Sequence, residues 1–123
     1  MILTNTTIQR NELYKKPVKN SWKLREEGGL SGTPLREKTN KIIRSVYELT
    51  EGKITIIGVG GISTGRDAFE KISMGASLLQ LYTSLIYRGP NVVMSILSDL
   101  SCSLKRKGLK NVSDLIGKNI NYD

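Results

Sequence analysis

A β-branched run, Ile54-Thr55-Ile56-Ile57-Gly58-Val59, passes directly into the glycine pair Gly60-Gly61 and then into Thr64-Gly65-Arg66-Asp67 ahead of Ala68, Phe69 and Ile72. β-Branched side chains suit a buried strand, the glycines permit a tight turn, and Thr followed three residues later by an acid has capping-box spacing. A buried strand that turns straight into a helix belongs to a parallel sheet covered by helices.

The flanking segments repeat this alternation. Met1-Ile2-Leu3 runs into Thr4-Asn5-Thr6-Thr7 and reads as the end of a strand. From Glu37 to Thr50, Ile42, Ile43, Val46 and Leu49 recur at helical spacing, and Glu51-Gly52 closes the pattern. After Gly75, the run from Ser77 to Ser84 reads as a further strand that finishes in hydroxyl groups. Past Gly89-Pro90, Val92, Val93, Ile96, Leu97, Leu100 and Leu104 share one helix face that Gly108 stops, and a helical turn is expected around Ser113 to Ile116. The order is strand, helix, strand, helix, strand, helix, with right-handed crossovers. Three parallel strands neither cover both sheet edges nor close a barrel. The expectation is therefore a piece of a larger α/β fold, with Ile54, Ile56, Leu79 and Leu81 facing an incomplete barrel interior.

Residues 9–27 are polar, basic and aperiodic and read as a long loop, a kind of segment that is usually functional or disordered. The chain carries 19 Lys and Arg against 11 Asp and Glu, a net charge of +8. The stretch from Arg10 to Arg44 is the most basic. A nucleic-acid-binding module is one reading of this charge, although no aromatics are interleaved with it to stack bases. A solvated surface is the other, and Lys105-Arg106-Lys107, just before Gly108, would complement a helix C-terminal dipole. The single cysteine excludes an internal disulfide, and the absence of histidine argues against a zinc site or a His-dependent triad. Cys102 is expected on or near the apolar face of the last helix, as a packed small hydrophobe. No apolar run approaches the roughly 20 residues that span a bilayer.

Functional groups in parallel α/β folds gather at the C-terminal ends of the strands. Here those ends are Thr4-Asn5-Thr6-Thr7, Gly58-Val59-Gly60-Gly61-Ile62-Ser63 and Tyr82-Thr83-Ser84. Glycine lets backbone approach an anion closely, and the helix start after Ser63 directs free N–H groups toward it, so residues 58–84 read as a phosphate-binding segment. A plain strand-to-helix turn remains the alternative for the glycines, as an ordinary strand exit does for Tyr82 and Thr83. A dinucleotide fingerprint fails because Ser63 stands where the third glycine belongs, and no Gly-Lys-Ser/Thr completes a Walker loop. Asn5 has the donors and acceptor to meet a planar heterocycle, but from Asn5 alone a turn cap is the simpler reading.

Five segments together resemble one family. Asn5-Thr6-Thr7, Gly28-Gly29-Leu30-Ser31-Gly32-Thr33-Pro34-Leu35, Ile56-Ile57-Gly58-Val59-Gly60-Gly61-Ile62, Gly75-Ala76-Ser77 and Gln80-Leu81-Tyr82-Thr83 resemble, in order and spacing, the C-terminal part of class 2 dihydroorotate dehydrogenase. This is the membrane-associated, quinone-reducing flavoenzyme of pyrimidine (UMP) synthesis. The resemblance implies about strands 6 to 8, with their helices, of an FMN-binding (β/α)8 barrel, so that residues 1–123 form a partial catalytic barrel. It implies that Asn5 and Thr6 bind dihydroorotate, that Ser31 and Gly32 lie against FMN, and that Gly60, Gly61, Tyr82 and Thr83 hold its phosphate. It further implies oxidation of dihydroorotate to orotate, ubiquinone as electron acceptor, no nucleic-acid partner, and attachment through an N-terminal segment to the mitochondrial inner membrane or the bacterial cytoplasmic membrane. The family's serine base, flavin-contacting lysine and quinone-binding helices belong to sequence before these motifs, so the chain alone is expected to be inactive. Residues 9–27 exceed the usual spacing between the first two motifs. Soluble class 1 enzymes, the runner-up flavoenzyme reading, usually have Gly-Thr where this chain has Tyr82-Thr83.

Overall fold

The computed structural model describes residues 1–10 and 27–118. Apart from Gln9, Arg10 and Glu27, the loop expected over 9–27 lies outside the described residues. Three strands, β1 (Ile2–Leu3), β2 (Ile57–Val59) and β3 (Leu78–Gln80), form one sheet in the order β1-β2-β3. Both pairings are parallel, with Ile2 opposite Ile57 and Gly58 opposite Leu79. A 3-10 turn, Thr33–Leu35, leads into α1 (Arg36–Leu49), and α2 (Gly65–Ser73) connects β2 to β3. Then come α3 (Thr83–Arg88), α4 (Asn91–Arg106) and a closing 3-10 turn, Val112–Leu115.

The capping box at Thr64 and Asp67 forms as its spacing indicates, with the Asp67 N–H donating to Thr64 Oγ1 over 3.2 Å. Lys105 and Arg106 occupy the last turn of α4, where the helix dipole favours cations. Other expectations are corrected. The strand expected from Ile54 begins only at Ile57, because β1 offers its first pairing partner there and Ile54 is exposed. The apolar run from Ser77 is a strand only as far as Gln80; Thr83–Arg88 is helical. That helix was hidden because its apolar residues, Leu85, Ile86 and Tyr87, are exposed and produce no amphipathic stripe.

The sheet's two faces are also reversed from expectation. Ile56 is fully buried with Ile43 and Ala76, and Leu79 and Leu81 pack toward the helices, so these three do not face a barrel interior. Side chains alternate along a strand, which turns Leu78 and Gln80 to the opposite, exposed face. Cys102 is exposed rather than packed. The buried stripe of α4 is Val92, Ile96, Leu100 and Ser103, and a residue two positions past Leu100 sits roughly 200° around the helix.

Leu79 joins three groups of core residues. It packs against Ile62, Ala68, Val92 and Ile96, against Phe69, Ile72, Leu100 and Leu115, and against Ile43, Ile56 and Ala76. No neighbour can fill a void shared by three groups. Leu79→Ala is therefore expected to cost about 2–3 kcal/mol, read as a lowered urea midpoint of the intact protein.

Lys71 is fully buried between α1 and α2, with its Nζ donating to Thr39 Oγ1 over 2.7 Å and to Asn40 Oδ1 over 2.6 Å. Its stem crosses β2 so closely that a Cβ on Gly58 would come within 2.7 Å of Lys71 Cδ. Burial pulls the ammonium down from 10.5 to about 8, against the opposing attraction of Asp67 and Glu70. The folded value lies below the unfolded one, so the unfolded chain holds this proton more tightly. Stability should accordingly rise as pH climbs from about 8 toward 10.5. Lys71→Met is expected to flatten that rise in denaturant titrations at stepped pH.

Candidate functional site

The C-terminal ends of the three strands open into one cavity of about 540 Å³. Asn5 and Thr6 enter it after β1, Gly60 and Gly61 after β2, Tyr82 and Thr83 after β3, and Ser31 and Gly32 from the glycine-rich turn before α1. All eight residues singled out from sequence therefore line one space. Hydrogen bonds join the first two motifs: the Thr7 N–H donates to the Leu30 carbonyl over 3.1 Å, and the Leu30 N–H returns to Thr7 over 2.7 Å. Gly29 is glycine of necessity, since a Cβ there would fall 1.9 Å from Thr6 Oγ1. Across the cavity Thr83 Oγ1 donates to Ser31 Oγ over 2.9 Å, and Gly32, at φ +84°, lies against the Thr83 methyl.

The loop after β2 is shaped by Asp67. Its Oδ2 accepts from the backbone N–H and hydroxyl of Ser63 and of Thr64, at 2.9–3.1 Å, while Oδ1 accepts from Arg36 Nη1 at 2.6 Å. Burial works to raise this carboxyl, but the Arg36 guanidinium and the Ser63 and Thr64 donors outweigh it and hold it below the usual carboxylate range. The Arg36 contact ties the loop to the first residue of α1. Gly61 packs there, at φ +72°, and a Cβ would lie 2.6 Å from the Arg36 backbone. Gly61 was expected to be glycine so that a ligand could approach; the structure shows that its missing side chain makes room for α1.

With both glycines at positive φ, the chain turns away after β2, and the backbone N–H groups of Gly61 and Ile62 have no protein acceptor among the described residues. Neighbouring N–H groups turned out of a ladder in this way suit an anion. Asn5 is less clear-cut. Its Oδ1 accepts from the Thr6 N–H over 2.7 Å, which makes it a turn cap, while its amide Nδ2 has no partner among the described residues. Ser63 and Ser84, already noted at the strand ends, also line the cavity, together with Tyr87 and Arg88, which the sequence did not single out. The last three belong to α3 and fall at its three- and four-residue spacing, a pattern visible only once Thr83–Arg88 is known to be helical.

The family model described as Dihydroorotate dehydrogenase matches residues 1–104. This chain belongs to the dihydroorotate dehydrogenase family. It is 51% identical over 118 residues to the mitochondrial dihydroorotate dehydrogenase (quinone) of Mus musculus, covering 95% of this chain and 28% of that relative. The dihydroorotate dehydrogenase (quinone) of Trichodesmium erythraeum is 45% identical over 119 residues, covering 95% of this chain and 32% of the relative. Ligand-free dihydroorotate dehydrogenase from Eimeria tenella superposes with a TM-score of 0.88 at 43% identity, over 98% of this chain and 32% of that one. The chain thus spans about a third of the length of the relatives it matches. Its three-stranded parallel sheet is a piece of the dihydroorotate dehydrogenase TIM barrel. Both curated relatives are of the quinone type to which Tyr82 pointed.

Asp67→Asn would keep the shape of the side chain but lose its charge toward Arg36. Thr64 and Ser63 would each lose an ionised acceptor. We expect destabilisation of about 2 kcal/mol near neutral pH, discounted for the half-open Arg36. A carboxylate with a depressed folded value stabilises above its ordinary value of about 3.9, and that contribution fades as pH falls through the folded value. The gap in Tm between wild type and Asp67→Asn should therefore close on acidification.

Proposed function

We propose that this chain supplies the cofactor-phosphate and substrate-amide portion of a quinone-dependent dihydroorotate dehydrogenase, which oxidises dihydroorotate to orotate with FMN. The observation that carries this reading is the convergence of four separate segments on one cavity that is rich in donors and has no acid among its described lining residues. A phosphate monoester fits these residues. Gly61 and the adjoining Ile62 offer N–H groups without an acceptor among the described residues, Gly60 leads into them, and Tyr82 and Thr83 line the same cavity at the exit of β3. Ser31 and Gly32, fixed against Thr83, would flank the flavin. The cavity volume also lies within the ordinary range for cofactor pockets.

FMN, when bound, supplies the hydride acceptor, and ubiquinone regenerates it. This chain's share is positioning. Asn5 Nδ2 would donate to a substrate carbonyl while its Oδ1 stays fixed on Thr6, so the amide is oriented before substrate arrives. Thr6, held on Gly29, sets the adjoining wall. The quinone partner goes with a membrane setting, the mitochondrial inner membrane or the bacterial cytoplasmic membrane; the mouse relative is named as mitochondrial. Among the described residues no helix is long and apolar enough to cross a membrane.

Asn5→Ala tests the assignment in the holoenzyme. Flavin content, read from the visible absorbance, should stay near wild type. The kcat/KM for dihydroorotate should fall by one to two orders of magnitude, matching the loss of a hydrogen bond worth about 1–3 kcal/mol. An unchanged kcat/KM would remove Asn5 from the substrate site.

A further inference from the structure

Among the described side chains lining the cavity, one carries a full charge, that of Arg88. It stands in the last turn of α3, and its Nη1 donates to the Ser63 carbonyl. That contact lays the end of α3 over the loop that carries the N–H groups of Gly61 and Ile62, which have no acceptor among the described residues. Its Nε and Nη2 have no acceptor among the described residues. One turn earlier on the same helix, Ser84 is buried, lines the cavity, and has a hydroxyl without a hydrogen-bond partner among the described residues. A buried hydroxyl left unpaired costs about 1–3 kcal/mol unless something else completes it. The face of α3 turned to this end of the cavity therefore offers a tethered cation and an unpaired donor, with no acid among the described lining residues to neutralise either.

We propose that Arg88 is an anion-binding residue that closes the phosphate end of the cavity and supplies the charge its backbone donors lack. The inference rests on the FMN reading above and assigns a residue beyond the glycines, Tyr82 and Thr83. A phosphate monoester carries about −1.5 to −2 charges near neutral pH, whereas peptide N–H groups and the Thr83 hydroxyl are neutral. In a partly enclosed cavity that charge needs a counter-charge, and a guanidinium fork matches phosphate oxygens in two directions at once. The Ser63 contact occupies one of its five donors and holds the fork at the loop, so little side-chain freedom remains to be lost on binding.

The rival is that Arg88 merely straps α3 to the loop. The two differ in what they predict for a flavin without its phosphate. FMN release from holoenzyme and riboflavin binding to protein stripped of FMN can be followed by flavin fluorescence for wild type, Arg88→Gln and Arg88→Lys. Arg88→Gln is expected to weaken FMN on the order of tenfold, leave riboflavin unchanged and flatten the salt dependence of FMN binding, with Arg88→Lys intermediate. Equal weakening of both flavins, or FMN binding like that of wild type, would overturn the proposal. Wild-type protein with no affinity for either flavin would remove the FMN reading, and this inference with it.

Discussion

One carboxylate holds the strand-to-helix turn at the centre of this fold. Asp67 is almost wholly buried and receives five donated hydrogen bonds, four from Ser63 and Thr64 and one from Arg36. A buried charge is tolerated only when paired and hydrogen-bonded, and here each of those bonds also performs a structural task. Those to Ser63 and Thr64 cap α2, and that to Arg36 clamps the turn onto the start of α1. With the turn pinned on both sides, Gly60 and Gly61 are held at positive φ, and the N–H groups of Gly61 and Ile62 stay out of the sheet ladder.

Behind the turn, Leu79 and Lys71 join the layers in different ways. Leu79 binds the groups of core residues through shared apolar contact, which is non-directional and scales with the area removed from water. Lys71 spans α1 and α2 through two directional bonds, to Thr39 and Asn40, and lays its stem across Gly58. The first sets how close helices and sheet come. The second sets how α1 lies over β2, because a buried ammonium cannot shift without losing its acceptors.

That arrangement leaves the opposite ends of the strands to loops. Several groups there have no partner among the described residues: the N–H groups of Gly61 and Ile62, the Ser84 hydroxyl, and the exposed Asn5 amide nitrogen. Folded proteins pair most of their buried polar groups, so the buried Gly61 and Ile62 N–H groups and the Ser84 hydroxyl, meeting in one cavity, support the proposed reading of a polar ligand there. On the proposed reading the distribution also separates the tasks, with anion donors at β2 and α3 and a heterocycle-reading amide after β1, while the Ser31–Thr83 bond joins the turn before α1 to the exit of β3.

The short-range signals were legible in the sequence. The capping box at Thr64, the glycine stop after α4 and the polar strand ends all depend on residues a few positions apart, and all appear where the spacing puts them. The motif segments were enough for the family and for the eight residues that meet at the cavity. Tertiary structure decided the rest. Which face of each strand meets the helices depends on neighbours far along the chain, so Ile56 and Leu79 proved to be core beneath α1 and α2 rather than barrel lining. The helix at Thr83 carries exposed apolar residues and escaped a test built on amphipathicity. The reason that Gly61 must be glycine lies in the backbone of Arg36, a contact between segments distant in sequence that no local pattern encodes.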